Sequence, residues 1–331
     1  MKKTCLLLVL CLFLSACSAF AEETVEVSAL LEQAQAALEA GDYEAAVPLL
    51  QKAADLGDAT GQLWLGNCYL SGLGIQQDGK EAIKYYLLAA DQGNAPACYY
   101  LGLCFKNGWG TEPDLKKAEE YFQLAAGQGI DAAQYELGVL YQLGQGVEQD
   151  NEKAFHYYSL AAEQDYPEAL TAVGYFYGQG LGTEQNLDEM LKYYQMAVEL
   201  GEPMAQFNLG CCYRDGIGVE QDFEKMLEYF RLAVDQGNAN AQFNLGFAYY
   251  VGQGVDPDYV EAFRLYQLAA DQGFPVAMFA VGDCYYLGTG VEKDLEAAAE
   301  WYRKSLDAGY EPDDTDKAHM EKVFGEDSSE P

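Results

Sequence analysis

A glycine inside an apolar segment returns as Gly66, Gly102, Gly138, Gly174, Gly210, Gly246 and Gly282, each 36 residues after the last, with no insertion or deletion between copies. A Gly-x-Gly pair keeps the same step, from Gly72 and Gly74 to Gly288 and Gly290. A fixed period between roughly 20 and 50 residues marks a repeat array and takes precedence over any domain count drawn from length. Seven full blocks follow: 59–94, 95–130, 131–166, 167–202, 203–238, 239–274 and 275–310. Each unit of such an array buries its apolar face only against its neighbours, so the 331-residue chain is expected to form one elongated solenoid.

Two helices per block fit the apolar pattern better than strands. Ala241, Leu245, Ala248 and Tyr249 fall at i, i+4, i+7 and i+8, and Ala262, Tyr266, Ala269 and Ala270 do the same. The Gly-x-Gly segment between them permits positive φ, which ends the first helix and reverses the chain. Asp78, Asp114, Asp150, Asn186, Asp222, Asp258 and Asp294 then stand where a second helix needs a short acceptor for its orphan N–H groups. Gly93, Gly129, Gly201, Gly237, Gly273 and Gly309 stop the second helix, and Asp165 takes that place in one block.

Leu-Gly-x-x-Tyr, Gly-x-Gly-Val-x-x-Asp, Tyr-Tyr and Leu-Ala-Ala-x-x-Gly together resemble the Sel-one-like repeat, a relative of the tetratricopeptide repeat, over about 250 residues. The resemblance implies an all-α, right-handed α-solenoid of stacked antiparallel helix pairs, used mainly as a scaffold for protein or peptide binding. It names no ligand, and no cofactor is expected.

The start of the chain reads as a targeting segment over 1–21, with Lys2 and Lys3 ahead of an apolar run from Cys5 to Leu14 that is too short to span a bilayer. Two processing sites compete. Leu14-Ser15-Ala16-Cys17 resembles a bacterial lipobox, which makes 1–16 the leader and Cys17 the lipidated first residue; Ala19-Phe20-Ala21 suits ordinary cleavage before Glu22. Either way the protein is expected to be exported, as a cell-envelope lipoprotein or as a soluble periplasmic or secreted protein. Residues 22–58 read as a helix pair resembling a tetratricopeptide unit, whose second half is the end of an eighth repeat and whose role is an N-terminal cap. At the other end Lys304-Ser305-Leu306 replaces Leu-Ala-Ala, a more polar face at which the array stops. Within the acidic tail 311–331, Thr315 to Val323 suits a short closing helix, and Gly325 to Pro331 is polar enough to be disordered.

The net charge of −34, from 53 acidic and 19 basic residues, argues against nucleic acid or anionic lipid as direct partners and favours a basic one. The same charge also keeps an exported protein soluble, so it does not identify a ligand. The Gly-x-Gly pairs follow a helix and lack a third glycine, which excludes a dinucleotide loop. No block spaces oxygen ligands as a calcium loop does. His156 and His319, the two histidines, are too few for a metal or acid–base constellation and read as incidental. No serine or cysteine sits in a nucleophile motif, so no catalytic residue is assigned. Cys68, Cys104, Cys212 and Cys284 share one core slot; Cys98 and Cys104 are separated by roughly 9 Å of helical rise, beyond disulfide reach. In some exported relatives a disulfide starts at the Cys98 position, but its partner there is Ala90, so free thiols are expected.

With the core stripe assigned, Asn240, Asn244, Phe247 and Val251 form another face of the same helix. The resemblance, rather than the spacing, identifies this as the concave, ligand-binding side. Its members are Trp64 and Asn67, Tyr100 and Leu103, Glu136 and Val139, Glu168 and Tyr175, Asn208 and Cys211, Asn244 and Phe247, and Ala280 and Asp283. Asn208 and Asn244 suit the backbone of an extended peptide, and the aromatics suit apolar side chains. The alternative is that these rings thicken the packing between neighbouring first helices. The function expected is a monomeric scaffold that binds a protein or extended peptide. A secreted hydrolase of cell-wall or β-lactam-type substrates and a secreted binder of host proteins stand as the other classes.

Overall fold

The computed structural model describes residues 25–327; the expected leader, Cys17 and both cleavage sites lie outside the described residues, as does 328–331. Among the described residues there are 17 helices and no strand. The chain divides into two compact units after Tyr166, the last residue of a repeat. The first contains α1 (25–39), α2 (Tyr43–Asp55), α3 (Ala59–Ser71), α4 (Gly79–Ala90), α5 (Ala95–Asn107), α6 (Leu115–Ala126), α7 (Asp131–Leu143) and α8 (Asn151–Ala162). The second contains α9 (Pro167–Gln179), α10 (Leu187–Glu199), α11 (Pro203–Asp215), α12 (Phe223–Asp235), α13 (Ala239–Val251), α14 (Tyr259–Asp271), α15 (Pro275–Leu287), α16 (Leu295–Asp307) and α17 (Asp314–Asp327). Each unit is an α-solenoid: the helices of a repeat pair with each other, and the second helix of one pair packs on the first of the next, as α4 on α5 and α12 on α13.

The local signals do what their chemistry requires. Asp78 accepts hydrogen bonds from the Lys80 and Glu81 N–H groups, and its six equivalents cap the helices that follow them in the same way. Gly252 ends α13 in the left-handed region with its N–H on Ala248 O, and Asp165 alone among non-glycine described residues takes that conformation, at φ 58°. Asp tolerates it better than most residues, because its short side chain bonds locally.

The recurrent glycine seats a ring. A β-carbon at Gly210 would stand 2.6 Å from Phe230 Cδ1, and the same collision occurs between Gly66 and Tyr86, Gly138 and Tyr158, and Gly282 and Tyr302. The first helix thus lies against the flat face of an aromatic side chain twenty positions on, and these rings are among the most buried in the molecule. A second device links repeats. Gln236 Nε2 donates to Gln206 Oε1 at 2.9 Å and to Gly201 O at 2.8 Å, and Gln272 does the same to Gln242 and Gly237. Gln92 and Gln62 repeat it in the first unit, joined there to Gly57 O.

Three expectations need correction. Tyr249 is half-buried rather than core, and its hydroxyl accepts from Arg231 at 3.2 Å. The last repeat does not end on a polar face: Ser305 is fully buried with its hydroxyl donating to Pro275 O at 2.9 Å, and α17 covers the end with Met320 and Val323 against Tyr302. A small hydroxyl that finds a carbonyl is compatible with burial. The closing helix also runs further than Thr315 to Val323, through Gly325 to Asp327.

Gly210→Leu is expected to lower unfolding free energy by about 1–3 kcal/mol through overpacking, and Phe230→Ala by about 3–5 kcal/mol through the cavity it leaves. Because both act at one seat, thermal or denaturant melts of the double variant should show less than the sum of the two losses. A strictly additive result would mean that glycine and ring do not meet.

Candidate functional site

The second face of the first helices carries both free and committed side chains. In the first unit Asn67 accepts the Tyr86 hydroxyl at 2.7 Å, Tyr100 stacks on Tyr86 at 5.4 Å, and Glu136 holds Lys106 at 2.5 Å. Trp64 packs half-buried beside the cluster of Leu50 and Leu65, and Leu103 and Val139 are also half-buried. These contacts make Asn67, Tyr100 and Glu136 parts of the packing between helices. In the second unit Asn244 accepts from Arg214 Nη1 at 2.7 Å and donates to Asn240 O at 2.8 Å. Its amide is therefore occupied, so Asn208 and Asn244 do not form a matched open pair. Asn208 is half-buried and has no hydrogen-bond partner among the described residues. Tyr175 and Phe247 are 42% and 47% exposed, unusual for large rings on a packed helix.

Phe247 marks the rim of a cavity of about 190 Å³ between α13 and α15. Phe243, Tyr250 and Phe279 form its walls, Leu287 lies at the rim and Asp283 supplies a carboxylate. Asp283 occupies the same repeat position as Phe247 and Asn67, so the cavity belongs to the expected face; the face was legible and the cavity was not. Asp283 Oδ1 accepts the Tyr302 hydroxyl at 2.6 Å and lies 3.1 Å from His319 Nδ1. Burial raises the Asp283 carboxyl above the ordinary aspartate range, and the hydrogen bonds from Tyr302 and His319 partly offset that rise. His319 is thus not incidental: it ties α17 to α15 and packs, tilted, against Tyr286 with ring centroids 5.3 Å apart. Its tail position, without a helix register to relate it to the repeats, hid the contact. Among the described residues no group of three or more His, Cys, Asp or Glu is arranged to hold a metal ion, and no helix is long and apolar enough to cross a membrane.

Stacked helix pairs of 12- and 13-residue helices over the seven full repeats, each second helix capped by Asp or Asn and seating a ring on the recurrent glycine, define an α-solenoid repeat protein. The Sel1 repeat family matches at residues 33–58, 59–94, 95–130, 131–166, 167–202, 203–238, 239–274 and 275–310, and the chain belongs to that family. It is similar, at 31% identity and a TM-score of 0.68, to c5321, a protective antigen present in uropathogenic Escherichia coli strains displaying an SLR fold; the match covers 91% of this chain and 67% of that one. A Sel1 repeat protein from Oxalobacter formigenes is 28% identical with a TM-score of 0.69, over 74% of this chain and 96% of that one. No curated protein matches the chain. Sel1 repeat proteins generally mediate protein–protein interactions, and the scaffold is typically non-enzymatic.

All six described cysteines are free thiols, and five are buried in the helix packing, with Cys211 half-buried. Burial pushes Cys104, Cys212 and Cys284 up to about 12 and Cys211 up to about 11, so the thiolate is scarce at neutral pH. Alkylation of the native protein at neutral pH, read by mass spectrometry, should leave these six sites largely unmodified, with Cys211 the first to react. Denaturation should open all six, and a disulfide recovered among them would contradict the packing.

Proposed function

We propose that the chain is an exported bacterial scaffold that holds an extended peptide or a partner protein along the concave face of its first helices. The observation that carries this reading is the cavity beneath Phe247: an apolar hollow with a few polar groups, opening on the face that the family resemblance assigns to ligands. Tyr175 and Phe247 add rigid aromatic surface of the kind that dominates binding energy, and Asn208 offers an uncommitted amide. In the second unit the committed Asn244 shapes the face rather than binding the partner, as Asn67, Tyr100 and Glu136 do in the first. Electrostatics favour a basic partner, since the chain carries 53 acidic against 19 basic residues.

Crosslinking in the native cell envelope should recover a partner whose contacts map to this face. Replacing Tyr175, Asn208 and Phe247 together by alanine should abolish capture while helicity and melting stay nearly intact, because Tyr175 and Phe247 are exposed, Asn208 is half-buried without a hydrogen bond to lose, and surface substitutions each change stability by about 0.5 kcal/mol or less. Normal capture with a large loss of stability would assign these residues to packing instead.

For the anchor, we propose that Cys17 is the lipidated first residue of the mature protein, on the strength of Leu14 to Cys17. Wild-type protein should then fractionate with membranes, and Cys17→Ser should release or misprocess it. Soluble wild-type protein beginning at Glu22 would end that proposal.

A further inference from the structure

Resting on the reading of this face as the ligand side, we propose that the cavity between α13 and α15 is a lysine pocket: it receives the side chain of one lysine from an extended partner segment, with the ammonium on Asp283 and the methylene stem between the rings. Four observations support this occupant over others.

Size comes first. An apolar cavity of about 150 Å³ admits a benzene-sized guest, so about 190 Å³ has room for a four-carbon stem and its ammonium. Wall chemistry comes second. Phe243 and Tyr250 are half-buried rings at the wall and Phe247 is exposed at the entrance, while Phe279 backs the wall, stacked with Tyr302 and Tyr310. Such rings attract a cation through their quadrupole, by about 0.5–2 kcal/mol per contact, and cover a methylene chain at the same time.

The third observation is the state of the carboxylate. Both hydrogen bonds to Asp283 fall on Oδ1, from Tyr302 and at His319, leaving Oδ2 without a partner among the described residues. No described side-chain polar atom is both buried and unpartnered, so Oδ2 is accessible rather than sealed in the core. Asp283 lines the cavity, so a carboxylate with one accessible, unpartnered oxygen stands at its wall. One free oxygen suits the point charge of an ammonium. The planar fork of arginine prefers two oxygens of one carboxylate, and here the other is taken.

Charge complementarity is the fourth. No lysine or arginine lines the cavity, and the basic group that reaches the Asp283 carboxylate is His319, 3.1 Å from Oδ1, which leaves Oδ2 to a ligand. An anionic or carboxylate-bearing group would meet Asp283 directly, and a neutral apolar side chain would leave its Oδ2 without a partner as water is displaced.

The decisive variant is Asp283→Asn. An asparagine still accepts the Tyr302 hydroxyl, so the fold is kept. Burial raises the Asp283 carboxyl, which means the folded state favours its protonated form and ionisation opposes folding as pH rises through that raised value; removing the charge should therefore leave stability at neutral pH unchanged or slightly higher. Titration of the full chain would use a capped, otherwise neutral Gly/Ser peptide with one central lysine, and the same peptide with norleucine or arginine in its place. The lysine peptide should bind the wild type at least about tenfold more tightly than the norleucine peptide. That preference should vanish in Asp283→Asn and shrink with added salt, and Phe247→Ala should weaken both peptides. Equal binding of lysine and norleucine, an undiminished preference in Asp283→Asn, or an arginine peptide that binds more tightly than lysine would each overturn the lysine pocket. The wider reading fails separately: partner capture lost on replacing Tyr175, Asn208 and Phe247 but unaffected by Asp283→Asn removes the pocket and keeps the face, whereas capture indifferent to all of them removes the face, leaving the peptide titration to judge the pocket alone.

Discussion

The contact on which each repeat depends is that of an aromatic ring lying flat on a glycine of the preceding helix. Phe230 on Gly210 and Tyr158 on Gly138 bring the two backbones of a pair closer than any side chain at the glycine would allow. Glycine in a helix interior costs about 1 kcal/mol relative to alanine, and the close approach offsets that by letting a large ring be buried completely. The spacing of glycine and ring is constant because both belong to one rigid pair. The same geometry reaches outward. The hydroxyls of Tyr86 and Tyr302 pass the core and end on Asn67 and Asp283, residues of the second face. Where the corresponding face residue is Leu103 or Cys211, the seated ring is Phe122 or Phe230, with no hydroxyl to satisfy.

The helix pairs, their caps and their stops could be read from the sequence, because each rests on a residue type with one strong local preference. Asp222 before α12 and Gly252 after α13 are examples, since the capping oxygen and the positive φ need nothing from elsewhere in the fold. The second face was legible as a set of positions but not as a set of states. Asn244 looks as free as Asn208 in the sequence, and only the reach of Arg214 from the neighbouring repeat distinguishes them. Contacts of this kind join residues thirty apart and have no local signature.

The glutamine link shows that some of this was recoverable. Gln62 with Gln92, Gln134 with Gln164, Gln206 with Gln236, and Gln242 with Gln272 occur together, while the block with Leu170 has Leu200 and the block with Met278 has Ala308. The repeats of one chain act here as an internal comparison, and joint presence or absence points to contact. Cys98 with Gln128 is the exception, and there the second glutamine turns back to its own helix at Leu124 O. The closure by α17 had no such comparison, since the tail occurs once.

Charge is divided along similar lines. Much of the acidity is structural: Asp58, Asp78, Asp150 and Asp258 are caps, and caps near helix N-termini gain from the backbone dipole whatever the partner. Many cations are used locally as well, with Lys153 over Tyr141 and Lys225 over Tyr213. Diffuse acidity that remains on the surface is screened within about 8–10 Å at physiological salt, so it steers approach and sustains solubility without selecting a ligand. A carboxylate set among rings is different, because low local dielectric strengthens whatever it binds and heavily penalises what it does not. Asp283, on the second face, lines a cavity, and there the negative charge of the chain changes from a property of its surface into a means of discrimination.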